Sequence, residues 1–269
     1  MKFIDSDLAT RLEGAQVARA IQYTRVQGRL HPELGCTAQP LAGGYLLYTG
    51  PRFPLNRGIG LGMGSPVNPA DLAALESFYR DRNALPRLDL CPHAHPSLLE
   101  GLKEAAYTLE RFSSVLFCPL PADTRSVETS PAIQVTRARP EQADLWLRTT
   151  AQGFEGVEEP SAARLDGLAP NFYAEGASCF FAWIGDQPAG GGGMYLHEGI
   201  AEFGGASTRL EYRHRGVHTA LLVRRLQAAA EAGCDLALIV TEPGTASQCN
   251  AERLGFRLAY TKVVLVSHS

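Results

Sequence analysis

The sequence predicts a mixed α/β (α+β) fold, a central mixed sheet flanked by helices, laid out twice along 269 residues. Three observations carry this reading. Short apolar runs of strand composition alternate with longer stretches of helical period. A turn-rich stretch from Pro119 to Pro131, with Pro121 between them, divides the chain into comparable halves. The halves also end alike, Glu104-Ala105-Ala106-Tyr107-Thr108-Leu109-Glu110 matching Glu252-Arg253-Leu254-Gly255-Phe256-Arg257-Leu258. The expected domains are 1–125 and 131–269; the alternative for the first is an unrelated α+β domain.

The elements follow in order. In the first half, Gly44 to Thr49 and Gly58 to Met63 read as strands and Ala70 to Arg82 as a helix. Leu88 to Cys91 reads as a short strand, His95 to Ala106 as a helix and Leu109 to Phe117 as a closing strand. In the second half, Ile133 to Arg137 is a strand, and Glu141 to Phe154 and Ser161 to Tyr173 are helices. A meander follows through Cys179 to Ile184, Gly190 to His197 and Ile200 to Thr208. A helix opens at Gly216 with Ala220, Leu221, Leu222 and Leu226 as its apolar stripe. Ala237 to Thr241 is a strand and Ala246 to Leu254 a last helix, closed by Gly255 and Phe256.

Composition excludes several classes. Apolar content of 45% with 20% charged residues is ordinary for a soluble globular chain. A net charge of -3 offers no basic face for nucleic acid. No apolar run approaches the roughly 20 residues of a membrane span, and Met1 to Asp7 carries acidic residues where a signal peptide would be apolar. The six cysteines, Cys36, Cys91, Cys118, Cys179, Cys234 and Cys249, form no CxxC pair and fit free thiols in a reducing compartment. The expectation is a cytoplasmic protein.

The stretch Glu211-Tyr212-Arg213-His214-Arg215-Gly216-Val217-His218-Thr219-Ala220 carries the functional signal. A strand runs into a short basic turn, and a helix begins at Gly216. The first amides of a helix lack partners within it, and its dipole places partial positive charge there, so such a turn suits an anion. Gly216 removes a side chain where a phosphate would approach, and Arg213 and Arg215 add charge beside it. An ordinary loop before an amphipathic helix is the plainer alternative. In the first half the matching residues are Gly64-Ser65-Pro66-Val67-Asn68-Pro69, whose prolines remove amides. Gly58-x-Gly60-x-Gly62-x-Gly64 has no nucleotide spacing. One anion site is expected, in the second half.

From about Ile133 to Val266 the chain resembles the GNAT acetyltransferase superfamily, whose pyrophosphate turn reads Arg/Gln-x-x-Gly-x-Gly/Ala. Here Arg213-x-x-Gly216 matches, with His218 where the family prefers a small residue. Arg253-Leu254-Gly255-Phe256 resembles the family's Lys-Leu-Gly-Phe ending. The resemblance implies the GNAT acyl-CoA N-acyltransferase fold, two tandem GNAT-like domains with the first degenerate, and acetyl-CoA as acyl donor. It implies that Ala206, Ser207 and Thr208 pair with pantetheine amides. Arg213, Arg215, Gly216, Val217, His218, Thr219 and Ala220 would then hold the pyrophosphate.

Acetyl transfer to an amine needs a base, donors for the developing oxyanion and a proton for the leaving thiolate. Glu202, fourteen residues before Gly216, is the candidate base. It matches the catalytic Glu of the histone-acetyltransferase branch, and strand alternation sets it on one face with Gly204, Ala206 and Thr208. A solvated strand-end carboxylate is its alternative. Where the family carries Tyr and Asn, this chain has Ala251 and Gly244. Tyr260 is the substitute acid in sequence, although a Tyr in an apolar strand is more often core. Ser247, Gln248 and Asn250 could reach the pantetheine arm or simply cap and solvate a helix. Gly190-Gly191-Gly192-Gly193 admits a close backbone or ligand, or a bulge. Glu155, Glu158 and Glu159 form an acidic loop suited to a cationic amine, or a plain surface loop. His197 is a proton relay or a strand-end residue. Cys91-Pro92-His93-Ala94-His95 offers three ligand types but no placed fourth, so no metal is expected.

The function expected is an N-acetyltransferase moving acetyl from acetyl-CoA to a primary amine of a small acceptor in a ternary complex. The alternative is a catalytically weak CoA-binding sensor or interaction protein. The partners expected are acetyl-CoA and an amine, with a homodimer allowed and neither nucleic acid nor membrane.

Overall fold

The computed structural model describes residues 4–51, 53, 55–124 and 127–268. Met1 to Phe3 of the N-terminal stretch and residues 125 and 126 of the inter-half stretch lie outside them. In chain order the elements are α1 (Ser6–Leu30), β1 (Thr37–Leu41), β2 (Gly44–Tyr48), β3 (Arg57–Ile59), α2 (Pro69–Arg80), β4 (Arg87–Leu90), α3 (Pro96–Glu104) and β5 (Tyr107–Pro119). They continue with β6 (Ile133–Arg137), α4 (Ala143–Glu155), α5 (Ala162–Tyr173), β7 (Ala177–Ile184), β8 (Gln187–His197) and β9 (Ile200–Thr208). Then come α6 (Val217–Glu231), β10 (Leu236–Thr241), α7 (Ala246–Arg253) and β11 (Arg257–Ser267). The strand expected over Gly58 to Met63 stops at Ile59, because Gly60 and Gly62 turn the chain at φ 67° and 74°.

Two compact units result. Residues Met1–Val115 and Leu258–Ser269 form one, Leu116–Arg257 the other. The last strand therefore counts with the first unit from Leu258 onward.

In the first unit the strand order is β1-β2-β3-β4-β11-β5. Apolar side chains of β2, α2, β4 and α3, among them Leu46, Leu75, Phe78, Leu88 and Leu98, make its core. Helix α1 starts where Asp5 accepts the Leu8 amide at 2.8 Å, a cap worth about 1 kcal/mol. Its buried face includes Glu13, only 1% exposed, which breaks the apolar stripe and hides the helix from a reading of periodicity. Tertiary structure supplies the partners. Lys262 Nζ lies 3.2 Å from Glu13 Oε1 and 3.4 Å from Asp89 Oδ2, and Arg57 Nε lies 2.9 Å from Asp89 Oδ1. Burial alone would raise the Asp89 carboxyl, but Arg57 and Lys262 outweigh it and hold it below its ordinary value. Burial likewise opposes the Lys262 ammonium, yet Glu13 and Asp89 raise it above its ordinary value.

In the second unit the order is β5-β10-β9-β8-β7-β6, with β6 to β9 antiparallel and β9 parallel to β10. Helices α4 and α6 cover opposite faces. The four glycines of β8 let them approach: a Cβ on Gly191 would meet Trp146 Nε1 of α4 at 3.0 Å, and one on Gly192 would meet Arg225 Cζ of α6 at 3.1 Å. Leu221, Leu222 and Leu226 pack with Ala201, Phe203 and Ala237 on one side, while Trp146, Leu147 and Ala151 pack with Cys179 and Phe181 on the other. Each fully buried Leu contributes about 1.5–3 kcal/mol.

Candidate functional site

The site grows from an interruption in the sheet. The β9–β10 ladder runs from Ile200–Leu236 to Phe203–Ile239, and both strands continue beyond it. Here β9 carries a bulge. Gly191 pairs with Ser207 and Gly193 with Gly204, so Gly192 alone faces Gly205 and Ala206. Gly205 sits at φ 59°, the left-handed region that a glycine bulge requires.

The bulge corrects the expected alternation. Before it, Phe203 points to α6, its ring 5.0 Å from the Arg225 guanidinium, so Glu202 and Gly204 face α4. After it, Ser207 faces α4 and donates to the Thr150 carbonyl at 2.7 Å. Ala206 and Thr208 therefore lie on the α6 side, opposite Glu202.

Beyond β9, a 3-10 turn over Leu210–Tyr212 leads through His214, at φ 61°, to Gly216 at φ 86°. Helices α1, α2, α3, α5 and α7 each have a side-chain cap, from Asp5, Asn68, His95, Ser161 and Thr245. Gly216 supplies none. The first backbone bond of α6 is Ala220 N to Gly216 O at 2.9 Å. The amides of Val217, His218 and Thr219 thus lack a protein acceptor among the described residues.

These amides open onto a cleft of about 620 Å³. Of the residues expected to hold a cofactor, Ala206, Ser207, Thr208, Arg213, Gly216, Val217, His218, Thr219, Ser247 and Asn250 line it. Arg215 and Ala220 do not. Ala220 is 5% exposed and turned into the core, and the Arg215 guanidinium lies 5.6 Å from the Tyr212 ring. Gly153, Phe154 and Ala246 also line the cleft and escaped the sequence reading, while Tyr212, His214 and Arg253, which lie in its quoted motifs, line it without having been assigned to it. Nothing local marks Gly153 and Phe154; the end of α4 reaches the turn only through tertiary packing.

Arg213 takes a different part from the free cation expected. Its Nη2 donates to Gly153 O at 2.9 Å and its Nε to Thr208 O at 3.2 Å, pinning the turn to the ends of α4 and β9. His218 is a half-buried ring whose Nδ1 lies 3.3 Å from Asn250 Nδ2. Burial, and then the Arg225 guanidinium, push its pKa down to about 4, so the imidazole is neutral near pH 7. Arg225 itself is 1% exposed and donates to the Leu221 and Gly193 carbonyls; burial lowers its pKa to about 10.

The two residues proposed for proton transfer lie elsewhere. Glu202 is 5% exposed and not among the cleft-lining residues. Tyr260 belongs to the first unit, where its hydroxyl donates to Glu13 Oε1 at 2.8 Å. Burial and then the Glu13 charge push the phenol well above its ordinary pKa. In the acidic loop, the Glu155 carboxylate accepts from Ser161 N and Oγ at 2.8 and 2.7 Å, and Glu159 lies 3.5 Å from Arg148. Both are engaged. His197 sits at the end of β8, 4.0 Å from Glu198. Cys91 is buried, the His93 ring lies 5.6 Å from that of Tyr260, and His95 caps α3. Among the described residues no group of three or more His, Cys, Asp or Glu is arranged to hold a metal, and no helix is long and apolar enough to cross a membrane.

Residues 143–256, which span the bulge, the turn, the uncapped helix and α7, match the model of the Acetyltransferase (GNAT) family. The second unit carries a GNAT domain. The likeness in fold extends over nearly the whole chain. A GCN5-related N-acetyltransferase from Kribbella flavida is 18% identical with a TM-score of 0.66, covering 94% of this chain and 96% of that one. A GCN5-related N-acetyltransferase from Sphaerobacter thermophilus is 15% identical with a TM-score of 0.60, covering 96% and 92%. A tandem GNAT protein from the clavulanic acid biosynthesis pathway is 13% identical with a TM-score of 0.60, covering 99% and 96%. No curated protein matches. The fold is thus the GNAT one, the full length aligns with a tandem member, and the family indicates acyl transfer.

Proposed function

We propose that this chain is an N-acetyltransferase that moves acetyl from acetyl-CoA to a primary amine of a small acceptor by direct transfer in a ternary complex. One observation carries the reading: α6 begins without a side-chain cap at a left-handed glycine, and its unpartnered amides open onto the cleft. The family match over residues 143–256 supports CoA as the occupant. In this reading the diphosphate rests on the amides of Val217, His218 and Thr219, and the pantetheine arm follows the edge of β9 that β10 leaves unpaired beyond Phe203.

The amine nitrogen attacks the thioester carbonyl, the C–N bond forms, and the C–S bond breaks to release thiolate. In this reading Glu202 accepts the amine proton through water, because the buried carboxylate does not itself line the cleft. The thiolate takes its proton from solvent; a thiol of pKa near 8.5 leaves without an obligatory acid, consistent with Ala251 in place of a tyrosine and with Tyr260 committed to Glu13.

Acetyl-CoA is expected to raise the melting temperature by several degrees at saturating ligand. Release of free thiol with a panel of small amines then reads catalysis. Glu202→Gln should lower kcat on the order of 100-fold with the Kd for acetyl-CoA unchanged. Absence of stabilisation at millimolar ligand would refute the proposal.

A further inference from the structure

His218 stands where the family prefers glycine or alanine, and the groups around it fix its chemistry. The relay starts at Arg253, whose Nη1 donates to Asn250 Oδ1 at 3.2 Å. Guanidinium can only donate, so this contact sets the orientation of the Asn250 amide and leaves Nδ2 facing Nδ1 of His218 at 3.3 Å. An amide NH2 can only donate as well. Nδ1 must therefore accept, and the ring's proton resides on Nε2. The His218 ring makes no other hydrogen bond among the described residues.

We propose, on the basis of the acetyl-CoA reading above, that His218 is a positioning residue whose Nε2–H donates to a diphosphate oxygen of the cofactor, with its tautomer locked by the Arg253–Asn250–His218 relay. Three features of the cleft converge on this role. His218, Asn250 and Arg253 all line it. His218 is the second residue of α6, beside the amides of Val217 and Thr219, so its donor adds to theirs on one anion. The relay also runs in one direction, from a full cation through an amide to the imidazole, and each bond polarises the next.

The relay explains how an anion site tolerates the larger residue. A small residue at this place leaves recognition to the backbone alone. Here the ring supplies a neutral donor, and its orientation comes from α7 rather than from α6. The uncharged state follows from burial and from Arg225, whose guanidinium donates to the Leu221 and Gly193 carbonyls and lies 5.0 Å from the Phe203 ring. The Arg225 guanidinium thus adds positive charge near His218, which favours an anionic partner for the ring's second nitrogen.

Calorimetric affinities for acetyl-CoA and for S-acetylpantetheine, which lacks the diphosphate, test the proposal. His218→Ala should weaken acetyl-CoA about tenfold and leave S-acetylpantetheine unchanged. His218→Gln, whose terminal amide carries a donor near the Nε2 position, should recover most of the loss, whereas His218→Leu should not. Asn250→Leu should weaken acetyl-CoA about threefold. Imidazole 15N shifts should report the Nε2–H tautomer for His218 in the unsubstituted protein and a tautomer mixture in Asn250→Leu. Equal or tighter acetyl-CoA binding by His218→Ala would overturn the proposal, since the family's small residue would then serve as well. Equal losses for both ligands would overturn it too, moving the contact from diphosphate to pantetheine, as would an Nδ1–H tautomer. If the unsubstituted protein fails to bind acetyl-CoA, the acetyltransferase reading itself falls; if it binds and only these variants behave otherwise, that reading stands and the relay alone is wrong.

Discussion

Helices α2 and α6 each follow a strand in the repeated plan, and they begin in opposite ways. In α2 the first turn is closed. Asn68 Oδ1 accepts from the Asp71 amide at 3.1 Å, Asp71 Oδ2 accepts from the Asn68 amide at 2.9 Å, and Pro69 has no N–H to offer. The Val67 amide donates to Ser97 Oγ at 2.8 Å. In α6 a glycine replaces the cap and three amides stay open. The sheets differ in the same sense. In the first unit, Arg57 of β3, Asp89 of β4, Lys262 of β11 and Glu13 of α1 are joined by buried ion pairs. In the second unit, β9 and β10 stop pairing and a cleft opens beside them. One plan thus yields either a helix start capped by side chains or an open one. The difference lies in whether backbone donors find partners inside the protein.

Three substitutions would sharpen or break this contrast. The largest effect is expected from Lys262→Met, which leaves Glu13 without its cation in a buried setting. It should cost about 3–5 kcal/mol of unfolding free energy in urea titrations. A loss below about 1 kcal/mol would mean that the ion network is not what closes the first unit. Next comes Gly216→Ala. The nearest protein atom to a Cβ there is Ile133 Cδ1 at 3.8 Å, so the fold has room. The positive φ costs about 1–2 kcal/mol, while acetyl-CoA affinity should fall on the order of 10-fold or more, because in the proposed complex the methyl group would stand where a phosphate approaches. Unchanged affinity would break the comparison at its functional end. The smallest effect is expected from Asn68→Ala, a loss of about 1 kcal/mol from the capping box with no change in acetyl-CoA affinity. Any change in affinity would assign the α2 start a ligand role that its closed hydrogen bonding argues against.

Much of the second unit was legible in the sequence. The meander, the basic turn, Gly216 and the stripe of α6 are local signals, and each fell within a few residues of its place. The residues of β9, the turn and the start of α6 that line the cleft were legible for the same reason, since a strand, a turn and a helix start are continuous in the chain. Helix α1 was not, because its buried Glu13 and Gln27 spoil an apolar period, and the partners of Glu13, Tyr260 and Lys262, lie far away in sequence. Phe154 and Gly153 escaped because their position depends on how α4 packs, not on what surrounds them in the chain.

By itself, the sequence determined most elements of the second unit, the glycine that opens α6 and the absence of amide N–H groups at Pro66 and Pro69, since backbone freedom and hydrogen-bonding capacity are properties of single residues. Tertiary structure decided the rest. The bulge at Gly205 set Glu202 on the face opposite Ala206 and Thr208, which alternation alone had placed together. Carbonyls from α4 and β9 turned Arg213 from a free cation into a brace. Glu13 claimed the Tyr260 hydroxyl from 247 positions away. What a side chain can do is written in its type, but what it does depends on which partners the fold brings within about 3 Å.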